Sequence, residues 1–331
     1  MGVFMKRSLT VLGIVMLFVC IFCMAPADAD AASYKAVAME YTFKGEPEKV
    51  QANGYYFWLD SDNNLKASKS KSAKGKTLYK SVYGETSVDR FIVTNGEKVY
   101  FMAADFKADK VMLYRVNTDG TKRTRLKSMD YADGDLQYKL LAVAYNNVYY
   151  YKSGSKGGEA VSSLCAYNIK SKKISTKVKN FREGKTKGNG RYIYYSTGAY
   201  DANGNYALKA YDTKNNKAIT VAKDGRYLTQ YDGKLYYTRD IWDEAAGLTY
   251  TQIYEAKTSG KEAALIAELG PIGGSYKLKV KDGTVYYYHE IMDGANTVYN
   301  TYMFNLKDKT EDMAMGRETY NAVPELYVNL Y

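Results

Sequence analysis

The chain holds one histidine, His289, so any serine- or cysteine-based proton relay that uses histidine must pass through it. His289 follows Tyr286-Tyr287-Tyr288 and precedes Glu290, at the end of a strand-like run that suits a loop edge better than a catalytic pocket. Zinc sites built from several His and Cys ligands are excluded by composition. Cys165, the one thiol beyond the N-terminal segment, lies between Leu164 and Ala166 and reads as a small buried apolar residue. Ser-x-x-Lys occurs at Ser68 with Lys71 and at Ser153 with Lys156, a spacing that chance supplies in so Ser- and Lys-rich a chain. Gly270-Pro271-Ile272-Gly273-Gly274 has turn chemistry without the Lys-Ser/Thr of a phosphate loop. No catalytic residue, metal ligand or cofactor is assigned on this basis, and the reading leans away from an enzyme.

Oxygen-rich loops come next. Asp60-Ser61-Asp62-Asn63-Asn64 and Asp201-Ala202-Asn203-Gly204-Asn205 begin like calcium loops. The first has Lys71 where a closing glutamate belongs, and the second has no acid close behind it. Asp130-Tyr131-Ala132-Asp133-Gly134-Asp135 is similar, and all three read as ordinary turns. Exposed aromatics beside carboxylates are better candidates for binding. Phe106, Tyr200, Asp240, Trp242, Asp243, Tyr250, His289 and Glu290 fall in segments expected to be loops on one face of the molecule. Such groups suit stacking on a sugar ring or gripping a peptide.

The elements that position these residues repeat. Tyr55-Tyr56-Phe57, Val99-Tyr100-Phe101, Val148-Tyr149-Tyr150, Ile193-Tyr194-Tyr195, Leu235-Tyr236-Tyr237 and Val285-Tyr286-Tyr287 recur at steps of 42 to 50 residues. A hairpin signal precedes each: Asn53-Gly54, Asn95-Gly96, Asn146-Asn147, Asn189-Gly190, Asp232-Gly233 and Asp282-Gly283. Short apolar strands lie upstream, and a third apolar strand and a more polar fourth lie downstream. A unit of this size cannot bury its own core and must stack on its copies. Thirty-six tyrosines, four prolines and no sustained 3.6-residue period make the chain all-β. The expected architecture is a six-bladed β-propeller of four-stranded antiparallel blades at about 48–88, 89–135, 136–182, 183–223, 224–270 and 271–315. Terminal strands at 34–43 and 318–331 are expected to close the ring.

The pattern Asn-Gly-x-x-Val-Tyr-Phe, followed by Leu113-Tyr114-Arg115-Val116-Asn117-Thr118-Asp119-Gly120-Thr121 and Leu126, resembles exported bacterial β-propellers of unknown function. It is also similar to the low-density-lipoprotein-receptor-related propeller and, more distantly, to TolB-like six-bladed propellers. The resemblance spans 48–315. It implies fold and export, and it brings no catalytic residues with it.

Lys6 and Arg7, an apolar run from Leu9 to Met24, and the overlapping small-residue sites Ala27-Asp28-Ala29 and Ala29-Asp30-Ala31 read as a secretory signal over 1–31, cleaved after Ala29 or Ala31. The remainder, 32–331, is expected to be a single domain without an intramolecular disulfide, since Cys165 has no partner thiol. The net charge of +11 fits weak attraction to anionic wall polymers as well as protection of sheet edges by lysine. The sequence thus predicts an exported, monomeric, non-enzymatic propeller at the cell envelope or outside it. Its partner would be a protein, peptide or glycan; no nucleic acid and no membrane span after cleavage are expected. The alternative is a propeller hydrolase or lyase acting on polysaccharide or peptide.

Overall fold

The computed structural model describes residues 33–39, 48–132, 135–182, 190–197, 200–269, 278–293, 296–315 and 327–328. The expected signal segment 1–31 lies outside them. The described residues contain no α-helix, and so no helix long and apolar enough to cross a membrane. The chain is all-β and its strands pair antiparallel.

After β1 (Ser33–Ala38), a first sheet unit comprises β2 (Val50–Ala52), β3 (Tyr55–Leu59), β4 (Leu65–Ser68) and β5 (Lys76–Tyr79). The second is β6 (Thr86–Thr94), β7 (Lys98–Asp105), β8 (Lys110–Asn117) and β9 (Thr124–Asp130). The third is β10 (Leu136–Ala144), β11 (Asn147–Lys156), β12 (Glu159–Asn168) and β13 (Ile174–Lys179). The fourth and fifth share one strand. β14 (Tyr192–Thr197) and β15 (Tyr206–Asp212) pair with the first part of β16 (Lys217–Tyr231), up to Gly225. From Arg226 onward β16 pairs with β17 (Lys234–Asp243), which is followed by β18 (Leu248–Lys257) and β19 (Ala264–Leu269). The sixth is β20 (Leu278–Lys281), β21 (Thr284–Asp293), β22 (Asn296–Asn305) and β23 (Thr310–Met315), with β24 (Tyr327–Val328) beside β20.

Hairpin chemistry explains the first turn of most units. Asn53-Gly54, Asp232-Gly233 and Asp282-Gly283 have positive φ at both positions, as two-residue type I′ turns require. In the third unit the two central residues are Tyr145 and Asn146, one residue before the expected pair, because Ala144 and Asn147 close the ladder. The second unit departs further. Thr94 pairs with Val99, leaving a four-residue loop in which Asn95 Oδ1 accepts the amides of Glu97 and Lys98 at 3.1 and 2.7 Å.

Strand alternation gives the aromatic triplets their meaning. Val99 and Phe101 pack into a core with Leu59, Leu65 and Phe57 of the first unit, whereas Tyr100 joins a core with Val148 and Tyr150 of the third. Tyr149 faces the fourth unit, against Ile193 and Tyr195. Tyr194 faces the fifth, against Leu235 and Tyr237. Tyr236 faces the sixth, against Val285 and Tyr287. From the second copy to the sixth the outer members thus fill the interface with the preceding unit, and from the second to the fifth the central tyrosine fills the interface with the next. The first copy is shifted by one residue: Phe57 occupies the central role, so its triplet is Tyr56-Phe57-Trp58 rather than Tyr55-Tyr56-Phe57. Five cores join the six units in chain order; among the described residues none joins the sixth to the first.

The terminal strands expected to meet lie in different sheets: β24 pairs with β20, and β1 lies between β6 and β10. Ser33, Tyr34 and Lys35 of β1 pair with Ala144, Val143 and Ala142 of β10, and Ala36, Val37 and Ala38 pair with Val93, Ile92 and Phe91 of β6. One nine-stranded sheet results, spanning the second and third units. Tyr34 and Ala36 pack on the core between those units, while Val37 and Met39 pack on the core between the first and second. Gly190 lets β1 pass: with φ of 82°, its Cα is so close to β1 that a Cβ would lie 2.7 Å from the Tyr34 nitrogen.

Candidate functional site

The segments expected to be long loops are mostly ladder. β17 and β18 pair without interruption from Lys234 with Lys257 to Asp243 with Leu248, leaving four residues at the tip. Asp240, Trp242 and Tyr250 therefore sit on strands: Asp240 and Trp242 share one face, and Tyr250, opposite Ile241, takes the other.

Asp240 is buried and faces inward, which removes it from the ligand-facing set. Its Oδ1 accepts the Thr251 hydroxyl at 2.8 Å, and its Oδ2 lies 3.3 Å from Arg226 Nη1. Asn205, from the β14–β15 connection, brackets the Asp240 backbone, donating to its carbonyl and accepting its amide, both at 2.8 Å. Arg226 Nε also donates to the Gly204 carbonyl at 2.9 Å. Burial pushes the Asp240 carboxyl above its usual range, against the opposing pull of Arg226 and Thr251. This network fastens the fourth unit to the fifth.

The oxygen-rich turns spend their acceptors on themselves. Asp201 Oδ1 accepts the amides of Asn203 and Asn205 at 2.9 and 2.7 Å. Asp60 Oδ1 does the same for Asp62 and Asn64 at 3.1 and 2.9 Å. Burial pushes the Asp60 carboxyl up, but these bonds and that of the Asn64 side chain outweigh it and hold the group below its usual range. Asn64 Oδ1 then accepts the Ser81 amide at 2.9 Å, so it ties its turn to the segment entering the next unit, much as Asn205 does. Among the described residues no three His, Cys, Asp or Glu side chains converge as metal ligands.

At the tip of the β17–β18 hairpin, Ile241, Trp242, Asp243, Glu244, Ala245, Tyr250 and Glu268 surround an open hollow of about 590 Å³. Trp242 is 49% exposed and stacks on no other ring among the described residues, whereas Trp58 is 5% exposed. Asp243 Oδ1 caps the turn by accepting the amides of Ala245 and Ala246 at 2.9 and 3.1 Å. Glu268 Oε2 accepts Gln252 Nε2 at 2.8 Å, and Glu244 is exposed. The arrangement offers aromatic surface for an apolar or cationic group and carboxylates for hydroxyl or ammonium donors. Glu244 and Glu268 are lining residues that the sequence reading left out. Glu268 lies on β19, and only its pairing opposite Gln252 brings it near Tyr250.

The remaining candidates lie apart. Phe106 packs on Tyr131, ring centroids 5.9 Å apart, and Tyr200 meets Tyr206 edge-on at 5.8 Å. His289 and Glu290 lie on β21 opposite Asn300 and Tyr299; their side chains are outside the described atoms. Cys165 is buried on β12, and burial pushes its thiol up, which suits packing rather than nucleophilic chemistry.

No protein-family profile matches the sequence, and no curated protein matches it. Solved structures similar to the chain are β-propeller proteins. An oligogalacturonate lyase in complex with manganese is 8% identical, over 88% of this chain and 83% of that one, with a TM-score of 0.46. TolB from Acinetobacter baumannii is 10% identical over 86% of this chain, with a TM-score of 0.35. The β-propeller domain of the Trilobed protease from Pyrococcus furiosus is 9% identical, over 72% of this chain and 73% of that one, with a TM-score of 0.39. The chain spans 64% of the TolB length and 50% of that of a similar prolyl endopeptidase.

Proposed function

We propose that the chain is an exported six-bladed propeller that binds a protein, peptide or glycan partner at the cell envelope or outside the cell, without acting on it chemically. The run of cores from the first unit to the sixth supports the ring. The observation that carries the binding assignment is the hollow at the β17–β18 tip, where exposed Trp242 and half-buried Tyr250 stand beside Asp243, Glu244 and Glu268. An exposed tryptophan on a rigid ladder presents a large contact area at little cost in conformational entropy. The alternative, a polysaccharide- or peptide-cleaving enzyme, needs carboxylates converging from several units. Asp60, Asp201 and Asp240 fit that need poorly, since each is engaged by its own turn or by Arg226.

The test is binding of the full chain and of a W242A/Y250A variant to arrays of glycans and peptides. Wild-type binding that the variant loses supports the assignment. Equal binding by both, or no binding by either, removes the hollow from the account.

A further inference from the structure

On the outer edges of the first four units cations far outnumber acids. Residues 69–80, leading into and forming β5, hold Lys69, Lys71, Lys74, Lys76 and Lys80, all exposed, and no acid. Residues 171–180, around β13, hold Lys172, Lys173, Lys177 and Lys179 and again no acid. Between them, β9 and its preceding turn present Lys122, Arg123 and Arg125. Of the acids there, Asp119 is occupied by Thr121, and Asp130 pairs with Lys110 and Lys156 from other strands. The edge of the fourth unit adds Lys214, Lys217 and Lys223, and its one acid, Asp224, pairs with Arg239 of β17.

These edges are contiguous. The Arg123 guanidinium lies 5.3 Å from the Tyr79 ring centre, joining the second edge to the first. Tyr167 donates to the Leu126 carbonyl at 2.9 Å, joining the third to the second. Lys177 donates to Asn216 Oδ1 at 2.8 Å, joining the third to the fourth.

Protection against edge-to-edge pairing explains why an outer strand is charged, but not which sign it takes. The fifth and sixth edges show that mixed charge suffices: Lys257 pairs with Glu262, and Asp308, Glu311 and Asp312 accompany Lys307 and Lys309. The band of cationic excess over the first four units therefore needs another reason.

We infer that this band is a docking surface for a flexible linear polyanion, distinct from the acidic Trp242 hollow, which would repel the same ligand. Packed sheets lie about 10 Å apart, so the cations are spread over four successive planes. A flexible polymer with regularly spaced phosphate or carboxylate groups can follow them, whereas a flat lipid surface meets only part of the band.

The experiment measures binding of the full chain to fluorescently labelled inorganic polyphosphate and, separately, to phosphatidylglycerol vesicles across a salt series. Polyphosphate affinity should fall by roughly a hundredfold between about 50 and 200 mM salt, as release of several counterions requires. Lys74→Glu with Lys172→Glu and Lys173→Glu should weaken it by about tenfold or more at the lower salt. Lys261→Glu with Lys307→Glu and Lys309→Glu makes the same change in net charge on the other two edges and should weaken it by no more than about twofold. All six positions are exposed, so both variants should fold. Equal losses in the two variants, absence of polyphosphate binding, or binding to vesicles alone would each overturn the inference.

Discussion

The hydroxyl of Tyr194 donates to the carbonyl of Thr258 at 2.6 Å, 64 residues further along the chain. Tyr149 makes the same reach to Thr213, also 64 residues ahead, at 3.4 Å. In both cases the central tyrosine of one unit holds the last turn of the next, Thr213 lying between β15 and β16 and Thr258 between β18 and β19. The ring fills the interface between units while the hydroxyl pins its rim.

Removing that hydroxyl should weaken the stack. Tyr194 is 0% exposed, and Gln230 Nε2 also donates to its oxygen at 2.8 Å. Tyr194→Phe leaves two half-buried polar partners unmet and should cost about 2 kcal/mol in urea unfolding. Tyr149→Phe, which removes a longer bond, should cost less. The reverse ranking would contradict the rim-pin role.

Asp240 and Arg226 should behave as a coupled buried pair. Asp240→Ala removes the carboxylate that faces the Arg226 guanidinium and should cost about 3 kcal/mol. The double replacement with Arg226→Met should cost less than the sum of the single changes, because it leaves no unpaired charge. Additive losses in denaturant melts would show that the two do not depend on each other.

Asp89 should give the fold a pH signature. Burial pushes its carboxyl from 3.8 to about 6, against the pull of Phe91 N–H, Arg90 and Lys139. A raised carboxyl means that the folded state binds the proton more tightly than the unfolded state. Its contribution is therefore full below about pH 4 and is lost as pH rises through about 6. Asp89→Asn should flatten that fall in stability between about pH 4 and 7, read from thermal melts. An unchanged slope would assign the dependence to other groups.

Gly190→Ala should loosen β1. The position has φ of 82°, and the new Cβ would lie 2.7 Å from the Tyr34 nitrogen and 2.9 Å from the Ser33 carbonyl carbon. Backbone strain and clash together should cost about 2 kcal/mol or more. Amide exchange at Ala36, Val37 and Ala38 should quicken relative to β11 and β17. Equal exchange throughout would mean that β1 does not depend on that close approach.

Much of this fold is legible in the sequence because turn chemistry and strand alternation are local. Asp232-Gly233 and Asp282-Gly283 mark their hairpins without help from the rest of the chain. The one-residue slip in the first copy was readable too, since Phe57 follows Gly54 at the same distance as Tyr236 follows Gly233. The placement of β1 was not, because six residues with little patterning can pair with any open edge, and only the assembled cores select β6 and β10. At the candidate site, Trp242 and Tyr250 were visible as aromatics beside acids. Treating their segment as a loop concealed the ladder, on which Asp240 and Trp242 share a face, with Asp240 covered and Trp242, nearer the tip, exposed. Glu268 was beyond reach of local reasoning, since its neighbours come from cross-strand register.

The central claim is that Trp242 meets the partner, and the chain carries its own reporter for it. Trp58 is buried and Trp242 is half exposed, and there is no third tryptophan. Titrating the glycan or peptide best bound on the arrays into the full chain should shift or quench tryptophan emission in proportion to occupancy, and Trp242→Phe should abolish that response. Saturable binding with unchanged emission, or a response that persists in Trp242→Phe, would contradict the account.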